Sequence, residues 1–436
     1  MRGFAFRLAV VAQCASATGL AAQTPVEALN KLFTFGVCGT PLCLDLKPDS
    51  VTGVNHGLHF IPALETSGGT VITFLSSAIG VSVANTPTSS SSSGTTFRFE
   101  GGVPVKTSTS AGPIFGQRAQ TLGRGRWVVG MGFTEVHFDR LRGVPLGSIV
   151  FNFRHVPRPS TDTNPGPEPF RRDFVQMRLN MHVDLLVSTF SATYGLTDGI
   201  DLGVTVPFVR TAVSGNSTAE IFLVGGDTLH RFGGTGANPV LTAATSASGV
   251  ASGLGDIETR LKIRVIQSQR VGLSVLGVSR FASGDENNLL GAGAFTGRGL
   301  GIISGRFGDF NPHGYLGYTI RRGTLQTNSV EGNVGFDQLL APWATLAFDV
   351  LGSWQSGASK IDVPKPAQYG PPDAPFPYTL DVTNIPSQRD NFTNMSFGMK
   401  FRTKRGIQIV MNTLVPVHTA GLQASFVWTG GLEYNF

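Results

Sequence analysis

Residues 421–436 read GLQASFVWTGGLEYNF, and their alternation decides the fold. The even positions are Leu422, Ala424, Phe426, Trp428, Gly430, Leu432, Tyr434 and Phe436; the odd ones include Gln423, Ser425, Thr429, Glu433 and Asn435. A period of two with one oily and one wet face belongs to a half-buried β-strand. Here it continues to the last residue, where soluble domains more often fray into polar tails.

The same pattern recurs upstream. Met395, Phe397, Met399 and Phe401 oppose Asn394, Ser396, Lys400 and Arg402, and Leu346, Phe348, Val350 and Trp354 oppose Thr345, Asp349, Ser353 and Gln355. In IETRLKIRV, 257–265, Ile257, Leu261, Ile263 and Val265 face away from Glu258, Arg260, Lys262 and Arg264. In 175–187 the odd positions, Val175 to Val187, are all apolar, whereas Gln176, Arg178, Asn180, His182 and Asp184 are polar.

Twelve such segments are expected, near 126–138, 174–195, 199–212, 255–266, 270–282, 296–306, 312–322, 328–337, 343–355, 391–403, 406–414 and 421–436. The joins near 196–198, 267–269, 307–311, 338–342 and 404–405 are short, whereas 139–173, 213–254, 283–295 and 356–390 are long. Short turns on one side and long loops on the other are the asymmetry of an outer-membrane barrel. Several segments reach the roughly 9 to 11 residues a tilted membrane strand needs, longer than the usual sandwich strand of about 5 to 6. In lipid every backbone group must be paired, so the sheet must close. The expected fold is therefore all-β, a transmembrane antiparallel barrel. Its strand number is 12, or 14 if the apolar run 70–83 and the segment 94–101 are added.

Composition agrees. Charged residues make up 14% of the chain, against roughly 25% in soluble domains, and 56 glycines and 31 phenylalanines suit strands joined by flexible turns. The net charge is +6, but the basic residues form no block beyond pairs such as Arg171-Arg172 and Arg321-Arg322. No nucleic-acid partner is expected.

The start, MRGFAFRLAVVAQCASATGLAAQ, has a basic n-region, an apolar stretch and small residues, so 1–22 is expected to be a signal peptide. Residues 23–68 are then an N-terminal plug or periplasmic segment and 69–436 the barrel. PVEALNKLFT, 25–34, is expected to be a short helix with Pro25 at its start. Cys38 and Cys43 in this exported segment read as a disulfide loop. His56 and His59 are too few and too far from it for a metal site, and no metal or cofactor is expected. With no G-x-S-x-G, H-E-x-x-H or P-loop, and with His182 and Ser188 about 20 Å apart on one strand, no catalytic residue is expected and the chain is read as a non-enzyme.

Thr429, Gly431, Tyr434 and Phe436 resemble the C-terminal assembly signal of bacterial outer-membrane barrels. The resemblance implies the cell outer membrane of a Gram-negative bacterium, with barrel-insertion machinery as a partner during assembly. AGPIFGQRAQTLGRGRW, 111–127, and ATYGLTDGIDLGVTVPF, 192–208, more loosely resemble outer-membrane transporters of the phenol-pathway and long-chain fatty-acid channel group. That resemblance implies a monomeric barrel, the fatty-acid type having 14 strands and an N-terminal plug.

The expected function is passive passage of small or apolar solutes, with outer-membrane lipids around the wall. Arg178, His182, Asp184, Glu258, Arg260, Lys262, Arg264, Asp349, Lys400 and Arg402 are expected to line the lumen. Phe60, Phe74 and Phe115 would supply an apolar lining if the N-terminal segment enters it. The alternative is a structural or adhesive barrel displaying long loops.

Overall fold

The computed structural model describes residues 23–35, 41–47, 56–57, 59–60, 68–84, 97–100, 103–106, 110–155, 173–223, 228–323, 325–361, 363, 365–369, 378–418 and 420–436. The expected signal peptide 1–22, Cys38 and the serine tract from Thr86 to Thr96 lie outside them. Cys43 is disulfide-bonded and fully buried.

Twelve antiparallel strands close into a barrel: β1 (Trp127–Phe138), β2 (Phe174–Thr197), β3 (Ile200–Phe222), β4 (Glu258–Gln267), β5 (Val271–Arg280), β6 (Thr296–Gly305), β7 (Phe310–Arg321), β8 (Ser329–Ala341), β9 (Ala344–Gln355), β10 (Phe392–Arg402), β11 (Ile407–Pro416) and β12 (Val427–Asn435). Each pairs with its sequence neighbour, and β12 pairs with β1 in the register Val427↔Val136 to Asn435↔Val128. Trp127 and Phe436 exchange backbone hydrogen bonds of 2.9 and 3.0 Å at the foot of that seam. Closure leaves no open edge in the membrane. The count is 12 rather than 14. Residues 70–83 belong to a helix, and the hairpin Phe97–Glu100 with Val103–Lys106 is a separate two-stranded sheet. The barrel strands thus begin at Trp127, and the described residues before it form an N-terminal element.

Most strand ends agree with the alternation. At the foot the turns are short, so by the asymmetry of these barrels the foot faces the periplasm. The outward side chains there form an aromatic girdle: Trp127 lies beside Tyr194 with ring centroids 4.6 Å apart, Trp343 stacks beside Phe401 at 6.1 Å, and Tyr434 beside Phe436 at 5.7 Å. The segment 421–436 is shorter as a strand than its alternation implies. Leu422 and Ala424 turn inward to a small extracellular sheet with Arg140–Leu141, and the barrel strand starts at Val427.

β2 and β3 run for 24 and 23 residues, about twice a membrane crossing. Their extracellular halves rise as a wall, flanked by strand Ile149–Arg154 against β2 and strand Thr242–Leu254 against β3. Residues 213–222 and 242–254, expected as loop, are thus strand. Along this hairpin the outward positions switch character. On β3, Leu202, Val204 and Phe208 are exposed apolar groups, whereas Arg210, Asn216, Thr218 and Glu220 on the same face are polar. On β2 the apolar positions Val175 to Val187 point inward and are buried, against the N-terminal element. Among the described residues no helix is long and apolar enough to cross a membrane; the apolar belt belongs to the strands.

The N-terminal element fills the barrel from the extracellular side. Helix α1 (Pro25–Leu32) carries a capping box at Thr24 and Glu27, satisfying two backbone donors that a helix start leaves bare. It buries Leu29 and Leu32 against the wall, and Phe33 meets Phe151 and Phe153 at 5.8 and 6.4 Å. Helix α2 (Gly68–Ala84) buries Val71, Phe74, Leu75, Ala78 and Ile79, the i, i+3, i+4 spacing of one helical face. From Ser110, beside Asp337 near the foot, residues 110–125 run low in the lumen to β1.

Candidate functional site

The segment 110–125 forms a floor in the periplasmic half of the barrel. Its bonds go to the inward faces of strands around the wall. Leu122 N–H donates to both carboxylate oxygens of Asp201 on β3 at 3.1 Å. The carbonyl of Arg118 accepts from Lys262 Nζ on β4 at 3.2 Å, and Ala119 N–H donates to Ser304 Oγ on β6 at 3.0 Å. Ala111 N–H donates to Thr345 Oγ1 on β9 at 3.0 Å. The central tie is Arg118, whose Nε donates to Asp337 Oδ1 at 3.1 Å while its second nitrogen meets Oδ2; Ser110 and Asn311 also bond to this carboxylate. Both charged side chains are at most 5% exposed, so each needs the other to offset its desolvation.

Gly116 passes directly over His313 and Asp349, themselves paired at 2.8 Å and fully buried. A Cβ at Gly116 would collide with both side chains, so only glycine fits that crossing. Ile114 packs into an apolar cluster with Ala347, Leu351, Val410 and Leu414.

Above the floor lie two adjoining cavities. One, of about 140 Å³, is lined by Arg260, Arg280, Arg298, Arg321, Glu258 and Glu331, with Phe115 and Tyr315. The four guanidinium groups come from four consecutive strands, β4 to β7. Arg260, Arg280 and Arg298 reach Glu258 at 3.5, 3.6 and 3.8 Å, and Arg298 and Arg321 reach Glu331 at 3.4 and 3.5 Å. Four positive groups share two negative ones, so the chamber carries surplus positive charge. The second cavity, of about 150 Å³, lies beside α2 and is mostly apolar, with Val136, Phe138, Leu325, Ile361 and Leu414 in its wall. Arg321, Ser353 and Phe392 line both cavities and join them. Arg142, held by Asp390 at 2.8 Å, also borders the apolar cavity and lies 5.4 Å above the ring of Phe74.

The structure sorts the residues expected in the lumen. Glu258 and Arg260 line the charged chamber, and Lys262 sits lower, on the floor. Arg264 is half-buried at the periplasmic rim. Asp349 is fully buried against His313 and Asn333, and Lys400 pairs with Glu433 at 3.3 Å inside the barrel. Arg402 lies half-buried beside Trp343 at the periplasmic end. Arg178, His182 and Asp184 do not line the lumen: they lie on the outer face of the wall, where Asp184 meets His137 at 2.7 Å and Arg178 meets Gln176. Above the belt, water is outside and the apolar N-terminal element inside, so the wet face of β2 turns outward. Phe60 is buried among extracellular loops rather than in the lumen cavities. Arg280, Arg298 and Arg321 were not among the expected lining. Their parity with inward Val278, Leu300 and Thr319 was the available signal.

No family model matches the chain, and no curated protein does. Among solved structures, an outer-membrane channel from Pseudomonas putida F1 is similar at 12% identity and a TM-score of 0.39, covering 73% of this chain and 98% of that one. The KdgM porin gives 7% and 0.31, covering 61% and 98%. The CymD monoaromatic hydrocarbon channel gives 8% and 0.31, covering 72% and 88%. At such scores and identities a likeness does not transfer a function, which has to come from the lumen itself.

Proposed function

We propose that this outer-membrane barrel is a channel for small amphipathic solutes carrying an anionic group, passed by diffusion. One observation carries the reading: a chamber with four arginines against two carboxylates opens into an apolar cavity inside the closed wall. The apolar cavity suits the body of an organic carboxylate and the arginine chamber its head, since guanidinium groups match carboxylates in shape and charge. Rings of positive side chains likewise favour anions in pores. Segment 110–125 lies across the route to the periplasm, so passage requires it to shift. Thr429, Gly431, Tyr434 and Phe436 are read with this as the signal for the insertion machinery; Tyr434 and Phe436 face outward near the foot.

Purified barrel in planar bilayers tests the reading. Conductance with a zero-current potential favouring anions, together with faster entry of aromatic carboxylates than of matched amines into proteoliposomes, is the expected result. A correctly folded barrel with no conductance and no solute entry would overturn it and favour a structural or adhesive role.

A further inference from the structure

Four histidines far apart in sequence meet at the extracellular end. His56 and His59 belong to the N-terminal element, His155 follows strand Ile149–Arg154, and His230 lies in the connection after β3. The ring centroids of His59 and His155 are 4.5 Å apart, those of His155 and His230 4.8 Å, and those of His56 and His59 4.9 Å. His59, His155 and His230 are 7% exposed or less. One ring nitrogen from each of His56, His59 and His230 lies within 4.8 Å of the others.

The placement of the protons bears on what this cluster can hold. His230 Nδ1 is 2.7 Å from Asp173 Oδ2, and that carboxylate is 1% exposed. The contact places the His230 proton on Nδ1 and leaves Nε2 as a lone pair turned to the cluster. His59 Nδ1 faces that nitrogen at 3.4 Å and His155 Nε2 at 2.7 Å. With neutral rings, a single proton serves this meeting of three nitrogens. A divalent cation would instead take the lone pairs of His59 and His230, with a His56 nitrogen as the third donor. Tetrahedral ligands at about 2.0–2.1 Å from a metal stand about 3.3 Å apart, close to the 3.4 Å between His59 and His230. A carboxylate behind the ligating imidazole is the arrangement that orients such ligands and raises their basicity.

We infer that His56, His59 and His230, with His155 beside them and Asp173 behind, bind one first-row divalent cation of the zinc type. An all-imidazole donor set with no thiolate suits zinc, nickel or copper(II) rather than magnesium or calcium. The ligands come from the N-terminal element and the extracellular connections, so the ion would clip the plug to the wall. No residue of the arginine chamber takes part, and the inference stands apart from the channel reading.

The test uses the untagged chain refolded in detergent, stripped with chelator and titrated with cobalt(II) and zinc. One equivalent per chain, with the visible bands of tetrahedral cobalt bleached by zinc, is expected. His59→Ala and His230→Ala should each abolish these bands while keeping the barrel's heat-modifiable mobility, and His182→Ala should keep them. Asp173→Asn should bind about 10–100-fold more weakly. Nitrogen-15 histidine resonances of the unmutated chain give a reading that needs no variant: at least three imidazoles should shift on zinc addition. No histidine shift, or cobalt bands unchanged in His59→Ala and His230→Ala, would overturn the inference.

Discussion

Arg118 and Asp337 form a buried ion pair between the lumenal segment and β8, with Ser110 and Asn311 bonded to the same carboxylate. The pair is a buried, charge-assisted attachment of the floor. Removing one partner strands a charge in the protein interior, at a cost of about 3–5 kcal/mol. Arg118→Ala and Asp337→Ala should each lower the free energy of urea unfolding by that order and raise bilayer conductance, because the loosened floor leaves the lumen. Arg118→Leu combined with Asp337→Leu should recover much of the stability, since no charge is left unpaired. Single variants as stable and as resistive as the parent would show that the floor is held elsewhere.

The crossing of Gly116 over His313 and Asp349 gives a steric test. A methyl group there meets two buried side chains that pair with each other. Gly116→Ala should cost about 1–3 kcal/mol, the range for overpacking a tight interior, and should increase conductance while the wall stays intact. Gly277, on the outward face of β5, has open space around it, so Gly277→Ala should change neither property. Equal behaviour of the two variants would contradict the packing drawn for the floor.

How much of this was readable beforehand depends on what each residue pattern encodes. Alternation in 257–265 placed Glu258, Arg260 and Lys262 on the inner face because the outer face there, Leu261 and Ile263, meets lipid. The same alternation in 175–187 separated the two faces of β2 but could not say which was inside. Val175 to Val187 would be equally oily facing lipid or facing a plug, and only the rise of the wall above the belt decides for the plug. TAATSASGVASGL, 242–254, reads as loop because small and polar residues bury little; it is a strand because the long β3 offers it a partner in register from Thr242↔Glu220 to Leu254↔Phe208. Val71, Phe74, Leu75, Ala78 and Ile79 were spaced for a helix all along, masked by the β-branched and aromatic residues of the run. Of the histidine cluster only His56 and His59 are close in sequence, too few by themselves to point to a site; His59 and His230 are 171 positions apart.

The arginine chamber makes a prediction with a sign. Its four guanidinium groups exceed its carboxylates by two charges. Arg280→Glu removes that surplus, and Glu258→Gln with Glu331→Gln enlarges it. If the channel reading holds, the first should cut the anion-to-cation permeability ratio by roughly tenfold, corresponding to about 1.4 kcal/mol, and the second should raise it. The effect should fade in high salt as the chamber's field is screened. Zero-current potentials across a potassium chloride gradient read the sign directly, and a ratio indifferent to both changes would separate selectivity from this chamber.

The level of the membrane follows from Leu186 and Arg210, which face each other across β2 and β3 in the outward register. Below them Leu202, Val204 and Phe208 on β3 are exposed and apolar; above them Asn216, Thr218 and Glu220 are exposed and polar. The two regions share one strand, one face and the β2 partner, with β4 on the other edge below and strand Thr242–Leu254 above, and they face different media outside. Val204→Arg puts a guanidinium near the middle of the apolar belt and should cost about 2–4 kcal/mol. Asn216→Arg puts the same group in water above the belt and should cost close to nothing, as ordinary surface substitutions do. Urea titration of protein folded into lipid vesicles distinguishes the two. Equal penalties would mean that the hydrocarbon boundary does not lie at Leu186 and Arg210, and that the upper wall of β2 and β3 is immersed rather than standing clear of the bilayer.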